Sequence, residues 1–159
     1  MRFVDANIFI KWMSALKRKL SLEAAISGFI LHRIRNGEQA ITTTLVKDEV
    51  LIWLSRYRAS KIRYFLSALR LLLSLEIVPP TMEDEEKAAS YFGKWSLGIS
   101  DLINVAVMER MGINEIYTND SGYEEAGVKV IFYELMDEDE FNTFVNLLIR
   151  MGYRLGFKI

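Results

Sequence analysis

Residues 1–10 read MRFVDANIFI, and the fifth sets the problem. Phe3 and Val4 precede Asp5, and Ile8, Phe9 and Ile10 follow it, with Asn7 between. An ionised carboxylate buried without a partner is costly, so Asp5 lies at an exposed edge or something compensates its charge. Working outward, Arg2–Asp5 reads as a strand and Ala6–Leu16 as a helix that runs into the basic KRK of residues 17–19. Leu22–Arg35 is an amphipathic helix stopped by Asn36-Gly37. Ala40–Thr43 reads as a second strand, Leu45–Tyr57 and Ser60–Leu75 as helices, and Glu76–Val78 as a third strand closed by Pro79-Pro80. Thr81 with Asp84 three residues on forms a capping box for a helix over 82–92. Ser100 is placed to cap a helix over 101–111, which Gly112 ends. Glu115–Thr118 and Val128–Val130 complete five strands. Strands alternating with helices predict an α/β fold, a parallel sheet with helices on both faces. Ligands of such sheets bind beyond the carboxyl ends of the strands, which is where Asp5 falls.

The 159 residues fit one domain with a continuous core. Hydrophobic residues make up 51% and charged residues 26%, a globular balance. No apolar run reaches the roughly 18–20 residues of a membrane span, and no signal peptide is read at the N-terminus. With no Cys there is no disulfide and no thiolate metal site, and a cytoplasmic location is the expectation. Charge is divided unevenly. Residues 1–80 hold 13 Lys and Arg against 6 Asp and Glu, and residues 81–159 hold 7 against 15. That division fits either scattered solvated charge or a basic flank beside an acidic centre.

Four carboxylates stand out. Asp5 follows the first strand, where it also reads as a helix N-cap. Asp120 follows the fourth strand in YTNDSGY, a segment of strong turn residues. Asp101 lies in the first turn of its helix, where it complements the macrodipole. Glu49 has Leu45, Val46, Ile52 and Trp53 as its helical neighbours, so it is expected within an apolar stripe, whereas Asp48 faces solvent. Four acids at one sheet edge repel one another unless a hard cation resolves the cost. With oxygen donors and a single isolated His, that cation is Mg2+ or Mn2+.

The segments FVDANIFI, TTTLVKDEV, GISDLINVAVMERMGI and IYTNDSGYEEAGVKV resemble the signature segments of the PIN-domain nucleases, closest to the VapC-type toxins of toxin–antitoxin pairs. The resemblance implies a three-layer α/β/α sandwich with a five-stranded parallel sheet in the order 3-2-1-4-5. It implies metal-dependent endoribonuclease activity, with RNA as substrate and 5′-phosphate and 3′-hydroxyl products. Asp5, Glu49 and Asp101 match the three principal acidic residues, and Asp120 the more variable fourth. Asn7 and Thr118 match polar residues that orient the carboxylates, and Tyr123 the aromatic after the last acid. A small antitoxin and a homodimer are the implied partners. Residues 1–136 form the PIN-like domain in this reading, and 137–159 a C-terminal extension packed on it. The extension and the Lys17–Lys19 insertion depart from the family pattern.

Other features stay open. Arg56, Arg58, Lys61 and Arg63, interleaved with Tyr57 and Tyr64, read as a solvated face with inward aromatics or as a grip for phosphates and bases. The apolar segment 141–151 serves either the protein's own core or a dimer interface. The alternative function is a catalytically silent PIN-like interaction module in an RNA-processing or regulatory complex. Haloacid-dehalogenase-like phosphatases are disfavoured by Asn7, which stands where they carry a second Asp. A dinucleotide fold is disfavoured by DANIF, which has no Gly.

Overall fold

The computed structural model describes residues 1–159. Five strands, β1 (Arg2–Val4), β2 (Ala40–Thr43), β3 (Leu75–Val78), β4 (Glu115–Tyr117) and β5 (Lys129–Ile131), form one sheet in the order β3-β2-β1-β4-β5. All neighbours run parallel, with Phe3 beside Ile41 on one side and Ile116 on the other. The central strands are buried on both faces: Phe3, Val4 and Ile41 are fully enclosed.

Seven helices complete the sandwich: α1 (Ala6–Met13), α2 (Leu22–Arg35), α3 (Thr44–Tyr57), α4 (Ile62–Leu71), α5 (Met82–Tyr91), α6 (Ile99–Arg110) and α7 (Asp139–Arg150). The crossovers from β1 through β3 put α1–α4 on one face, where α7 also packs on α2. The return to β4 puts α5 and α6 together on the other face. The expected fold class and strand order are those observed.

Element ends differ from the sequence reading where tertiary contacts compete. The first strand stops at Val4 because Asp5 turns to cap α1, which itself ends at Met13 rather than Leu16. The predicted helix Ser60–Leu75 is a short 3-10 turn, Ala59–Lys61, followed by α4; Leu75 is claimed by β3, where it pairs with Ala40. Gly98, not Ser100, caps α6, and Ser100 lies inside the first turn. The fifth strand is shifted one residue later than read, to Lys129–Ile131. The Thr81–Asp84 capping box forms as expected, and Asp84 also binds Arg110 at 2.9 Å.

Residues 137–159 fold back onto α1 and α2. Phe141, Phe144, Val145 and Leu148 of α7 are buried, with Phe29 meeting Phe141 edge-on at 5.5 Å. The apolar 141–151 segment thus packs largely on the protein's own core, leaving Ile149 and Met151 exposed. After Gly152, whose φ of 100° suits only glycine, Tyr153 stacks on Trp12 at 5.9 Å. Arg154 then donates its N–H to Lys17 at 2.7 Å, and Leu20 bridges to Leu155. The basic Lys17–Lys19 loop and the C-terminal strap hold each other.

Candidate functional site

The carboxyl end of β1 delivers Asp5 with its backbone extended (φ −80°, ψ 160°), so its side chain caps α1. Oδ1 accepts from the Ala6 N–H at 2.8 Å, and Oδ2 accepts from the Thr118 hydroxyl at 2.7 Å. Thr118 follows β4, the neighbouring strand, and its Oγ1 in turn accepts from Asn7 Nδ2 at 2.9 Å and from the Asp120 N–H at 3.1 Å. Asn7 Oδ1 receives the Asn119 N–H at 3.4 Å. One buried hydroxyl therefore joins Asp5, Asn7 and the loop that carries Asp120. Asp120 is exposed and closes an Asx turn by accepting from Gly122 N–H at 2.9 Å.

Asp101, half-buried in the first turn of α6, accepts from the Tyr123 hydroxyl at 3.0 Å. Tyr123 is wholly buried, so its hydroxyl is committed to this bond. Its phenol is driven well above the usual range, first by burial and then by the charges of Asp5 and Asp101.

Glu49 lies at the margin of the apolar stripe of α3 rather than within it. Val46, Val50 and Leu54 form the buried stripe, Leu45 and Trp53 are half-covered, and Ile52 is 54% exposed. The amphipathic period correctly separated Glu49 from solvated Asp48 but overstated its enclosure. One carboxylate oxygen of Glu49, Oε1, is nonetheless buried with no hydrogen-bond partner.

Three of the acids are raised by burial and by neighbouring carboxylates. Burial is the largest effect on Asp5 and raises its carboxyl to about 7; Asp101 and Glu49 push the same way, against the Thr118 and Ala6 bonds. Glu49 is raised by burial and by Asp101, opposed by Ser100. Asp101 is raised by burial and by Asp120, opposed by the Tyr123 bond. No Lys or Arg contributes to any of these shifts. The cluster is an acidic centre without a protein countercharge.

No three Asp, Glu or His side chains are grouped as they would be around one ion. The donor set still fits Mg2+ or Mn2+ chemically: all donors are oxygens, Glu49 keeps a free buried acceptor, and Mg2+ takes one or two carboxylates while retaining waters.

All six sequence-derived residues thus fall in one region: Asp5, Asn7 and Thr118 are bonded directly, Asp120 through the Thr118 hydroxyl, and Asp101 and Glu49 by proximity of charge. The Tyr123 hydroxyl is a contributor that sequence reasoning left out. Tyr123 was legible only as an aromatic, since a packing role asks for Phe as readily as Tyr. Asn104, one turn beyond Asp101, is another: fully buried, it accepts from the N-cap of α3, Thr43, at 2.8 Å.

The PIN domain family model matches residues 2–129. No curated protein matches the chain by sequence. Among solved structures, VapC20 of Mycobacterium tuberculosis, described as a sarcin–ricin loop cleaving toxin, is 19% identical with a TM-score of 0.64, over 80% of this chain and 96% of that one. FitAcB of Neisseria gonorrhoeae is 16% identical with a TM-score of 0.59, over 82% and 96%. A toxin–antitoxin complex from Klebsiella pneumoniae is 16% identical with a TM-score of 0.58, over the same shares. These likenesses establish a shared fold that spans nearly the whole of each relative and leaves about a fifth of this chain unmatched.

Proposed function

The chain belongs to the PIN domain family, and on that premise we propose that it is a Mg2+- or Mn2+-dependent endoribonuclease acting as the toxin of a toxin–antitoxin pair. The observation that carries this reading is the cluster of carboxylates drawn from four segments, of which Asp5, Glu49 and Asp101 are raised by burial and by neighbouring acids, with no Lys or Arg ion-paired to any of the four.

In this account Asp5 and Asp101 hold the cation, with Asp120 and Glu49 joining directly or through water. When bound, the cation neutralises charge developing on the phosphodiester and lowers the pKa of water. The chain's own residues set the geometry. Thr118 fixes Oδ2 of Asp5 while the Ala6 N–H fixes Oδ1, so the carboxylate cannot rotate. Tyr123 holds Oδ1 of Asp101, and Asn7 braces Thr118. The unpartnered Oε1 of Glu49 is free to accept a proton from the attacking water. Water attacks phosphorus and gives its proton to Glu49, the bond to the 3′ oxygen breaks, and that oxygen takes a proton from solvent, so the products are a 5′-phosphate and a 3′-hydroxyl.

A solved relative described as a toxin–antitoxin complex supports a small antitoxin as partner. A second copy of the chain is a further proposed partner, since Leu71, Leu73 and Met151 leave apolar surface open. No helix is long and apolar enough to cross a membrane.

A competing reading, a PIN-like module that binds without cutting, is favoured by one fact: no three acids are grouped for one ion. The two separate on incubation of purified protein with end-labelled RNA in Mg2+, Mn2+ or EDTA, followed by end-group analysis. Fragments bearing 5′-phosphates in the metal arms alone support the nuclease. Intact RNA in every arm supports the silent module.

A further inference from the structure

Charge is segregated by segment in this chain. Residues 6–22, 50–75 and 141–159 contain no Asp or Glu, yet carry 12 of the 20 Lys and Arg. None of those twelve forms a salt bridge, whereas six of the remaining eight do.

The fold draws the three segments together. Lys61 donates to the Met13 carbonyl at 2.7 Å, closing the end of α1 against the junction of α3 and α4. Arg154 N–H donates to Lys17 O at 2.7 Å, tying the C-terminal strap to the basic loop. The Lys17 ammonium lies 5.2 Å over the Tyr153 ring, and Tyr153 lines one cleft with Tyr64 of α4. Lys17, Arg18 and Lys19, with Arg58, Arg63 and Arg154, are all exposed. Tyr57 and Tyr64, which the sequence left open between inward and outward, point out, 59% and 62% exposed.

Unpaired cations crowded on one face repel one another; a bound polyanion neutralises them, and its own condensed counterions are released. Exposed rings set among guanidinium groups offer base-stacking platforms, which an acidic peptide has no use for. Asp5 to Met13 along α1 and Glu49 to Tyr57 along α3 are each eight residues, about 12 Å of helix, from the acidic centre to this face. The strap lies beyond the family match at residues 2–129. We propose that this face, made by the Lys17–Lys19 loop, the α3–α4 junction and the strap, binds the backbone and bases of single-stranded RNA and feeds it to the carboxylates. The choice of RNA rests on the ribonuclease reading.

The test is fluorescence anisotropy of the full chain with a fluorescein-labelled oligouridylate of about 15 nucleotides, in EDTA, over a series of KCl concentrations. Arg58→Gln/Arg63→Gln and Lys19→Gln/Arg154→Gln each weaken binding by about tenfold at low salt and make the slope of log K against log [salt] shallower by about 1.4. Tyr57→Ala/Tyr64→Ala weakens binding by about fivefold or more and leaves the slope unchanged. Wild-type affinity and slope in both basic variants overturn the proposal, as does displacement of the RNA by an equal concentration of polyglutamate. Cleavage by the same proteins in Mn2+ is read separately. Unaltered binding by the variants, with wild-type cleavage intact, overturns the surface alone. Absent cleavage by the wild type in Mn2+, with the binding pattern as expected, overturns the ribonuclease reading alone.

Discussion

Thr118 donates its hydroxyl to Asp5 across 2.7 Å although the two lie 113 residues apart in the chain. Parallel pairing of β1 with β4 makes the contact, since Val4 stands beside Tyr117 and each polar residue follows directly. The bond orients Asp5 and offsets part of the cost of its burial.

Thr118→Val keeps the shape and removes the donor. It is expected to lower metal affinity and cleavage rate by about 10–100-fold, while Thr118→Ser retains most of both. Mn2+ titration followed by electron paramagnetic resonance checks the first and a cleavage time course the second.

Stability of the metal-free protein is expected to fall as pH rises. Folding raises the Asp5 carboxyl from an ordinary 3.8 to about 7, so the folded state holds a proton that the unfolded chain gives up. The contribution is fully present below about pH 4 and is lost through pH 7, up to about 4 kcal/mol. Urea unfolding at pH 5 and pH 8 measures it. Asp5→Asn should flatten the difference, and saturating Mn2+ should restore stability to the wild type at pH 8.

Much of this was legible because β1 and β4 are short and each is followed at once by a polar residue. Asp5 and Asp120 could be placed at the sheet edge from apolar runs alone, whereas Thr118 reads from sequence as the end of a strand that stops at Tyr117. Glu49 needed the helical period, which located its neighbours but not that Ile52 faces solvent, because exposure depends on what packs against α3. The end of the α4 segment was misread because Leu75 suits a helix locally and is won by pairing with Ala40. The mutual support of the Lys17–Lys19 loop and the strap joins residues far apart in sequence and has no local signature. Nor does the bond between Tyr123 and Asp101.

Tyr123→Phe tests that bond. The ring still fills its buried space, but Asp101 loses its donor. Metal affinity is expected to fall by about tenfold with little change in unfolding midpoint, as followed by calorimetric Mn2+ titration and thermal unfolding.

Gly28 abuts Trp12, and a Cβ there would come within 2.5 Å of the indole. Gly28→Ala is therefore expected to destabilise the protein by about 1–3 kcal/mol, displacing the indole on which Tyr153 stacks. Urea denaturation monitored by tryptophan fluorescence reports the loss.

The most direct measurement is the single-turnover rate of RNA cleavage in saturating Mn2+ for the wild type and for Asp5→Asn, which retains a cap acceptor but removes the charge. The account predicts cleavage by the wild type that EDTA abolishes, and loss of about a thousandfold or more in the folded variant. Cleavage that persists in EDTA, or a variant as fast as the wild type, would contradict it.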